Sequence, residues 1–292
     1  MINIFYSESY FNYTNRMCGP KKVVFNLIES LEQEKVPYSI NEDIYEYNLL
    51  LQYDAIGYEK HEKLEHDSCI IGPQFWTFDS NPYGQFLINN PQYYKKLVAP
   101  SYWVENLLVE KLNVPQNKVC IWPAGIKDFS HLKKETSSID CLIYFKSRSN
   151  QDLSLVEEFL KDKNITYKDV KYGTYSQEEF YEEISNVKFC FILDHTESQG
   201  IAIQEMMSAN IPLLVWDVKF WDHQGEQYKL PASSVPYWNS ECGEKFYEYS
   251  ELEDTFEKFY DNIDKYNPKK LIDSELSYKV TVEKILMAFK EK

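Results

Sequence analysis

Residues 189–217, FCFILDHTESQGIAIQEMMSANIPLLVWD, read as one supersecondary unit around which the rest of the chain is arranged. FCFIL, at 189–193, is a short apolar run with aromatic and β-branched residues, closed by polar DHTES. That is the pattern of a strand buried on both faces, ending near Asp194. IAIQEMMSA then sets Ile201, Gln204, Glu205 and Ser208 on one side of a helix and Ala202, Met206 and Ala209 on another, and IPLLVW opens a second apolar strand. Strand, loop, helix and strand in this order make a crossover with a parallel return. Glu197 falls in the loop after the first strand and Glu205 in the early turns of the helix. Both carboxylates therefore border the crevice beyond the strand's carboxyl end, where open α/β sheets bind ligands. Backbone N–H groups of Ser198, Gln199, Gly200 and Ile201 at the helix start favour an anion, and Gly200 lets it come close. A carboxylate beside them accepts hydrogen bonds from sugar hydroxyls. Two glutamates near a helix start are also what a first-turn preference and a solvated face produce.

The string TESQGIAIQEMMSANIP, at 196–212, resembles the E-x(7)-E signature of the GT-B glycosyltransferases of the large retaining family-4 type, with Glu197 and Glu205 as its two acids. The resemblance implies that Glu197 and the amides after it hold the donor sugar, while Glu205 holds the ribose of the sugar nucleotide. Asn210 stands where that family usually has Gly before the Pro, and Asn is the next most tolerant residue for a left-handed helix cap.

At 292 residues the chain suits about two domains. Its 31 Lys and Arg against 46 Asp and Glu give a net charge of −15, which argues against nucleic acid or an anionic membrane as the main surface partner. Its 24 Tyr, 17 Phe and 6 Trp are many, as rings that stack on sugars would require and as a Tyr-rich coding bias would also give. Six scattered cysteines without C-x-x-C read as reduced and buried. There is no apolar run of about 18 residues or more, and MINIFYSESY lacks the regions of a signal peptide. The expectation is a soluble, cytoplasmic protein without stable membrane insertion.

Along the chain, INIFY is a first strand and SESYFNYTNRMCGPKK a polar loop with Gly19-Pro20 before an amphipathic helix, VVFNLIESLEQEK. With a single Gly the loop has no dinucleotide fingerprint. The resemblance implies an acceptor-side role for Gly19, Pro20 and Lys21. PYSIN, DAIGY and SCIIGP are strand candidates, and NEDIYEYNLLLQ reads as a charged or helical spacer. GPQFWTFDSNPYGQFL is a functional or rigidly packed loop. Relatives carry a His near it that faces the donor sugar; here His61 and His66 sit in EKHEKLEHD, a solvated stretch. YKKLVAPSYWVENLLVEKLN and KVCIWPAGI resemble the last strands of the first domain, with Pro123-Ala124-Gly125-Ile126 where relatives show P-N-G-I. KDFSHLKKETSS is the expected linker.

The second domain opens with the strand IDCLIYF, after which Lys146 and Arg148 emerge; relatives use basic residues of this region on the diphosphate, and a guanidinium grips phosphate oxygens bidentately. KDVKYGTY is a strand, and SQEEFYEEISNV is a helix with a Ser start and a Glu three residues on. A loop-rich stretch holding SSVPYW and CGEKF follows, then helices SELEDTFEKFYDNI and ELSYKVTVEKILMAFKEK, the last of which crosses back to the first domain in GT-B folds.

The expected architecture is α/β and GT-B: two Rossmann-like domains facing across a cleft, with an acceptor-side domain at 1–130, a nucleotide-sugar domain at 131–274 and a returning helix at 275–292. The expected activity moves a sugar from a nucleotide sugar to a glycan or other acceptor hydroxyl with retention. Glu197, Lys146 and Arg148 are the catalytic set, and no metal is expected because the departing diphosphate can take the acceptor's proton. One alternative is a metal-dependent transferase of the other major fold, with acids such as Asp194, Asp217 and Asp222 on Mn²⁺; Asp194-His195-Thr196 lacks the second acid of a D-x-D. Another is a catalytically silent GT-B-like module that binds a sugar nucleotide or a partner protein.

Overall fold

The computed structural model describes residues 1–7, 18–42, 46–51, 66–73, 82–132, 134, 137–223 and 226–291. The chain divides into two compact units, Met1–Gly125 with Leu276–Lys292, and Ile126–Glu275.

In the first unit the described strands are β1 (Ile2–Phe5), β2 (Tyr38–Ile40), β3 (Tyr47–Leu50), β4 (Cys69–Ile71), β5 (Lys96–Ala99) and β6 (Val119–Ile121). They form a sheet of order β2-β1-β3-β4-β5-β6 in which every pairing is parallel. Helix α1 (Gly19–Gln33) carries Pro at its first positions and buries Val24, Leu27 and Leu31 at helical spacing. Helices α2 (Pro82–Asn89) and α3 (Tyr102–Asn106) follow. NEDIYEYNLLLQ is corrected here: its NLLL supplies β3, because a short continuous apolar run serves a strand buried on both faces as readily as a helix. PYGQFL lies in α2, whereas 74–81 of the GPQFW stretch, DAIGY and His61 lie outside the described residues.

The final helix α8 (Tyr278–Lys290) belongs to this unit. Val282, Ile285, Ala288 and Phe289 join one core with the β1, α1 and β3 residues Ile4, Leu27 and Leu49. The indole N–H of Trp122 donates to the Thr281 carbonyl at 2.9 Å, and Tyr278 Oη donates to Glu29 at 3.0 Å. Gly125 lies under this helix. A Cβ there would stand 2.5 Å from Thr281 Oγ1 and 2.8 Å from Tyr278 Cδ1.

In the second unit β7 (Ile139–Phe145), α4 (Asn150–Asp162), β8 (Tyr167–Lys171), α5 (Gln177–Ser185), β9 (Val187–Leu193), α6 (Ile201–Ser208) and β10 (Leu213–Trp216) alternate regularly. The strands β11 (Phe220–His223) and β12 (Glu226–Pro231) pair antiparallel; this hairpin sits within the stretch read as loop-rich. Strand β13 (Gly243–Phe246) and helix α7 (Leu252–Asp261) complete the unit. The sheet order is β13-β10-β9-β7-β8, again with parallel pairings. Ser176 and Glu179 form the capping box that the sequence announces for α5, and Ser149 with Asp152 forms another on α4. The start of the linker stretch is packed: Phe129 is buried against Tyr181, with ring centres 4.7 Å apart.

Candidate functional site

The order of the second sheet reverses between β7 and β9, since the crossover from β7 leads to β8 on one side and that from β9 to β10 on the other. Ligands of doubly wound sheets bind beyond the carboxyl ends of the strands at such a switch point. There Phe145 pairs with Leu193, and the next residues out are Lys146 and Asp194.

Lys146 continues the ladder by donating its N–H to the Leu193 carbonyl at 3.0 Å. Ser147 takes a left-handed φ of 56°, turning the chain before Arg148. The Lys146 ammonium pairs with Glu197 Oε1, lies 3.8 Å from Asp194 Oδ2 and sits 4.6 Å from the centre of the Tyr172 ring. Burial opposes its charge, but Glu197 and Asp194 outweigh that and raise its pKa above the ordinary lysine value.

Arg148 faces carbonyls. Its Nε donates to the Asp194 main-chain oxygen at 3.0 Å, and Nη2 donates to the carbonyls of Trp216 and Asp217 at 2.9 and 3.3 Å. Its guanidinium lies 4.8 Å from the centre of the Trp216 ring. It thus fastens the carboxyl ends of β9 and β10, and only its Nη1 group is without a partner among the described residues.

Past β9, Glu197 is buried and donates its N–H to the Ser233 carbonyl at 3.1 Å. That ties its loop to SSVPYW. The tie is anchored in turn by Asp217, only 2% exposed, which accepts from Ser233 Oγ at 2.8 and 2.9 Å, from the N–H and Oγ of Ser234 at 2.8 Å each, and from Lys245 at 2.9 Å. Gly200 begins α6 at φ 81°, ψ 48° without a side-chain cap. A Cβ there would meet only ordinary contacts, the nearest Glu197 Cβ at 3.6 Å, so the left-handed backbone and not the space asks for Gly. Ile201 is buried and Ser198 half-buried. The Gln199 side chain donates to Gln204 Oε1 at 2.9 Å, while Gln204 donates back to the Gln199 carbonyl at 2.8 Å. Glu205 is buried and accepts from Tyr181 Oη of α5 at 3.2 Å. Asn210 ends the helix at φ 57°, the left-handed cap expected of it.

Lys146, Arg148, Glu197, Ser198, Gln199, Gly200, Ile201 and Glu205 therefore belong to one region of the second unit. Gly19, Pro20 and Lys21 open α1 in the first; Lys21 is buried, and a Cβ on Gly19 would meet nothing within 4 Å among the described residues. Of the acids considered for Mn²⁺, Asp217 is saturated by donors and Asp194 is buried beside Glu197. The side chain of Asp222 lies outside the description. Among the described residues no three His, Cys, Asp or Glu side chains group as metal ligands would, and no helix is long and apolar enough to cross a membrane. Sequence reasoning did not reach Tyr181, Ser233 or the roles of Asp194 and Asp217; the position of Asp194 and Asp217 at strand ends was the one signal available.

No protein-family model matches this sequence, and no curated protein matches it. Solved structures share its fold. It is similar to the sucrose-phosphate synthase of Thermosynechococcus elongatus (9% identity over 99% of this chain and 98% of that one, TM-score 0.62) and to a glycosyltransferase from Rickettsia africae (9%, 99% and 97%, TM-score 0.61). It is also similar to S. aureus TarM solved with fondaparinux, α-GlcNAc-glycerol and UDP (11%, 92% of this chain, TM-score 0.55). The chain spans 59% of TarM and 61% of a chain in the GtfA/B complex. The architecture is α/β and GT-B, built on two Rossmann-like domains.

Proposed function

We propose that this protein transfers a glycosyl group from a nucleotide sugar to an acceptor hydroxyl, in the cytoplasm, with retention of configuration and without a metal ion. The observation that carries this reading is the meeting of Lys146 and Glu197 at the switch point of the second sheet, beside the uncapped start of α6. Likeness of fold to glycosyltransferases, and to a TarM crystallised with UDP, supports it.

In the reaction the bond from the anomeric carbon to the diphosphate oxygen breaks, the acceptor oxygen bonds to that carbon, and the diphosphate takes the acceptor's proton. Negative charge grows on the leaving group. A preorganised ammonium and aimed amide N–H groups stabilise such charge without reorganising as it develops. Lys146 is that ammonium, exchanging Glu197 for a phosphate oxygen, and the amides from Ser198 to Ile201 assist. Arg148 contributes its Nη1 group alone, because its other donors hold the strand ends. Glu197 then accepts hydrogen bonds from sugar hydroxyls and Glu205 from the ribose, while Gly19, Pro20 and Lys21 serve the acceptor.

Incubation with a panel of nucleotide sugars in excess EDTA, with released nucleotide and product anomer followed by NMR, tests the proposal. Release of nucleotide with the donor's anomeric configuration kept in the product is expected. Activity abolished by EDTA and restored by Mn²⁺ would transfer the charge-stabilising role to a metal, and nucleotide binding without release would indicate a silent binding module.

A further inference from the structure

We propose that Asp194 is a positioning acid whose buried Oδ2 carries a proton and donates it to the Glu197 carboxylate, holding Glu197 in place for its ligand. This deepens the reading of the Lys146–Glu197 site and rests on it for its catalytic consequence, but not for its structural core.

Asp194 is 0% exposed at the end of β9. Its Oδ1 accepts the His195 N–H at 2.7 Å, whereas Oδ2 is buried with no hydrogen-bond partner among the described residues. Among the described residues, four titratable or charged groups approach it besides His195. Arg148 binds the Asp194 main-chain oxygen rather than the carboxylate. Lys146 Nζ stands 3.8 Å away, beyond hydrogen-bond reach, and is engaged by Glu197. Tyr144 of β7 is buried nearby, its pKa raised first by burial and then by Tyr175, Glu197 and Asp194. The fourth is Glu197 itself, whose carboxyl is adjacent.

An ionised Asp194 would leave two carboxylates on one ammonium and a buried acceptor without a donor, both of which are costly away from water. A proton on Oδ2 removes both defects. The oxygen becomes a donor, Glu197 becomes its acceptor, and Lys146, Glu197 and Asp194 sum to zero charge. Burial, and next the Glu197 charge, raise the Asp194 pKa well above the carboxylate range, in the same sense. Glu197 is then held from two sides. When Lys146 turns to a phosphate, Asp194 keeps its grip, so the carboxylate does not swing after the departing cation.

The infrared difference spectrum of the wild type against Asp194→Asn at pH 7, without ligand, reads the proton directly. The proposal requires a carboxylic-acid C=O band in the wild type that the nearly isosteric variant lacks; a difference made only of ionised-carboxylate bands overturns it. Nucleotide release from the same panel of nucleotide sugars reads the positioning. Asp194→Ala is expected to slow release about tenfold, the loss of one hydrogen bond to a charged group, and Asp194→Asn to recover most of it because its amide N–H replaces the O–H donor. An Asn variant as slow as Ala would overturn the positioning role. If the wild type turns over no nucleotide sugar, the glycosyltransferase reading fails while the infrared result still decides where the proton lies.

Discussion

The two parallel sheets reverse their strand order at equivalent places, and the residues one step past those places are opposites in character. In the first unit Phe5 pairs with Leu50, and the next residues out are Tyr6 and Leu51; Leu51 donates its N–H to the Phe5 carbonyl at 2.8 Å. In the second unit Phe145 pairs with Leu193, and the next are Lys146 and Asp194, with Lys146 donating to the Leu193 carbonyl at 3.0 Å. Backbone and topology match, yet the first residues past the ladder are the neutral Tyr6 and Leu51 at one switch point and the half-buried Lys146 and the acid Asp194 at the other. Topology determines where a ligand can approach, and the first side chain beyond the ladder determines what it meets. In a protein of net charge −15, the Lys146 ammonium is a local positive charge, and its partial burial limits screening there.

The largest effect that would break this contrast is expected at Asp217, whose carboxylate holds Ser233, Ser234 and Lys245 and thereby the loop that accepts the Glu197 N–H. Asp217→Ala leaves Lys245 half-buried without its counter-charge and should cost about 3–5 kcal/mol of stability, measured by urea denaturation; Asp217→Asn should cost less. Second comes Glu197→Ala, which removes one of the two acids beside Lys146. Turnover should fall by at least about a hundredfold, roughly 2.7 kcal/mol at the barrier, with affinity for the bare nucleotide nearly unchanged in calorimetry. Weakened nucleotide binding with normal turnover would reverse the roles of Glu197 and Glu205.

A third substitution probes the first unit and should leave the charged site of the second untouched. At Gly125 an added Cβ would stand 2.5 Å from Thr281 Oγ1 and 3.3 Å from the Tyr278 Cα, which is backbone and cannot swing aside. Gly125→Ala should therefore lower stability by about 1–3 kcal/mol through overpacking against α8. Titration with nucleotide should give unchanged affinity in the folded fraction.

How far the sequence could be read follows the same division. FCFIL, IDCLIYF and the α6 segment were legible because burial on both faces and helical spacing leave a local pattern, and Ser176 with Glu179 announced a helix start three residues apart. NLLL was not, since a four-residue apolar run has no period that separates strand from helix, and neither was the β11–β12 hairpin inside a Gly- and Pro-bearing stretch. In the site, Glu197, Lys146 and Gly200 could be found by counting from strand ends. The bond from Tyr181 to Glu205, the Asp217 anchor of Ser233 and the carbonyls taken by Arg148 join residues 16 to 69 positions apart, a distance over which sequence pattern carries no information about contact.

The smallest effect per step is a slope with pH, and it separates the two ionisable neighbours of Glu197. Burial and Glu197 raise the Asp194 pKa in the folded chain above its unfolded value. Above about pH 4 the unfolded chain releases this proton while the folded one keeps it, so the folded state binds more protons and stability falls as pH rises, by at most about 1.4 kcal/mol per pH unit, until the folded pKa is passed. Lys146 has the same sign in a different window: its folded pKa is also raised, so its stabilisation is complete below the unfolded lysine value and is lost only as pH climbs through the folded one. Between pH 4 and 8 Lys146 therefore contributes no slope. Urea midpoints of the wild type and Asp194→Asn across that range should diverge with rising pH, the variant becoming relatively more stable. Parallel curves would mean that Asp194 ionises alike in both states, and that the second switch point holds two charged acids on one lysine.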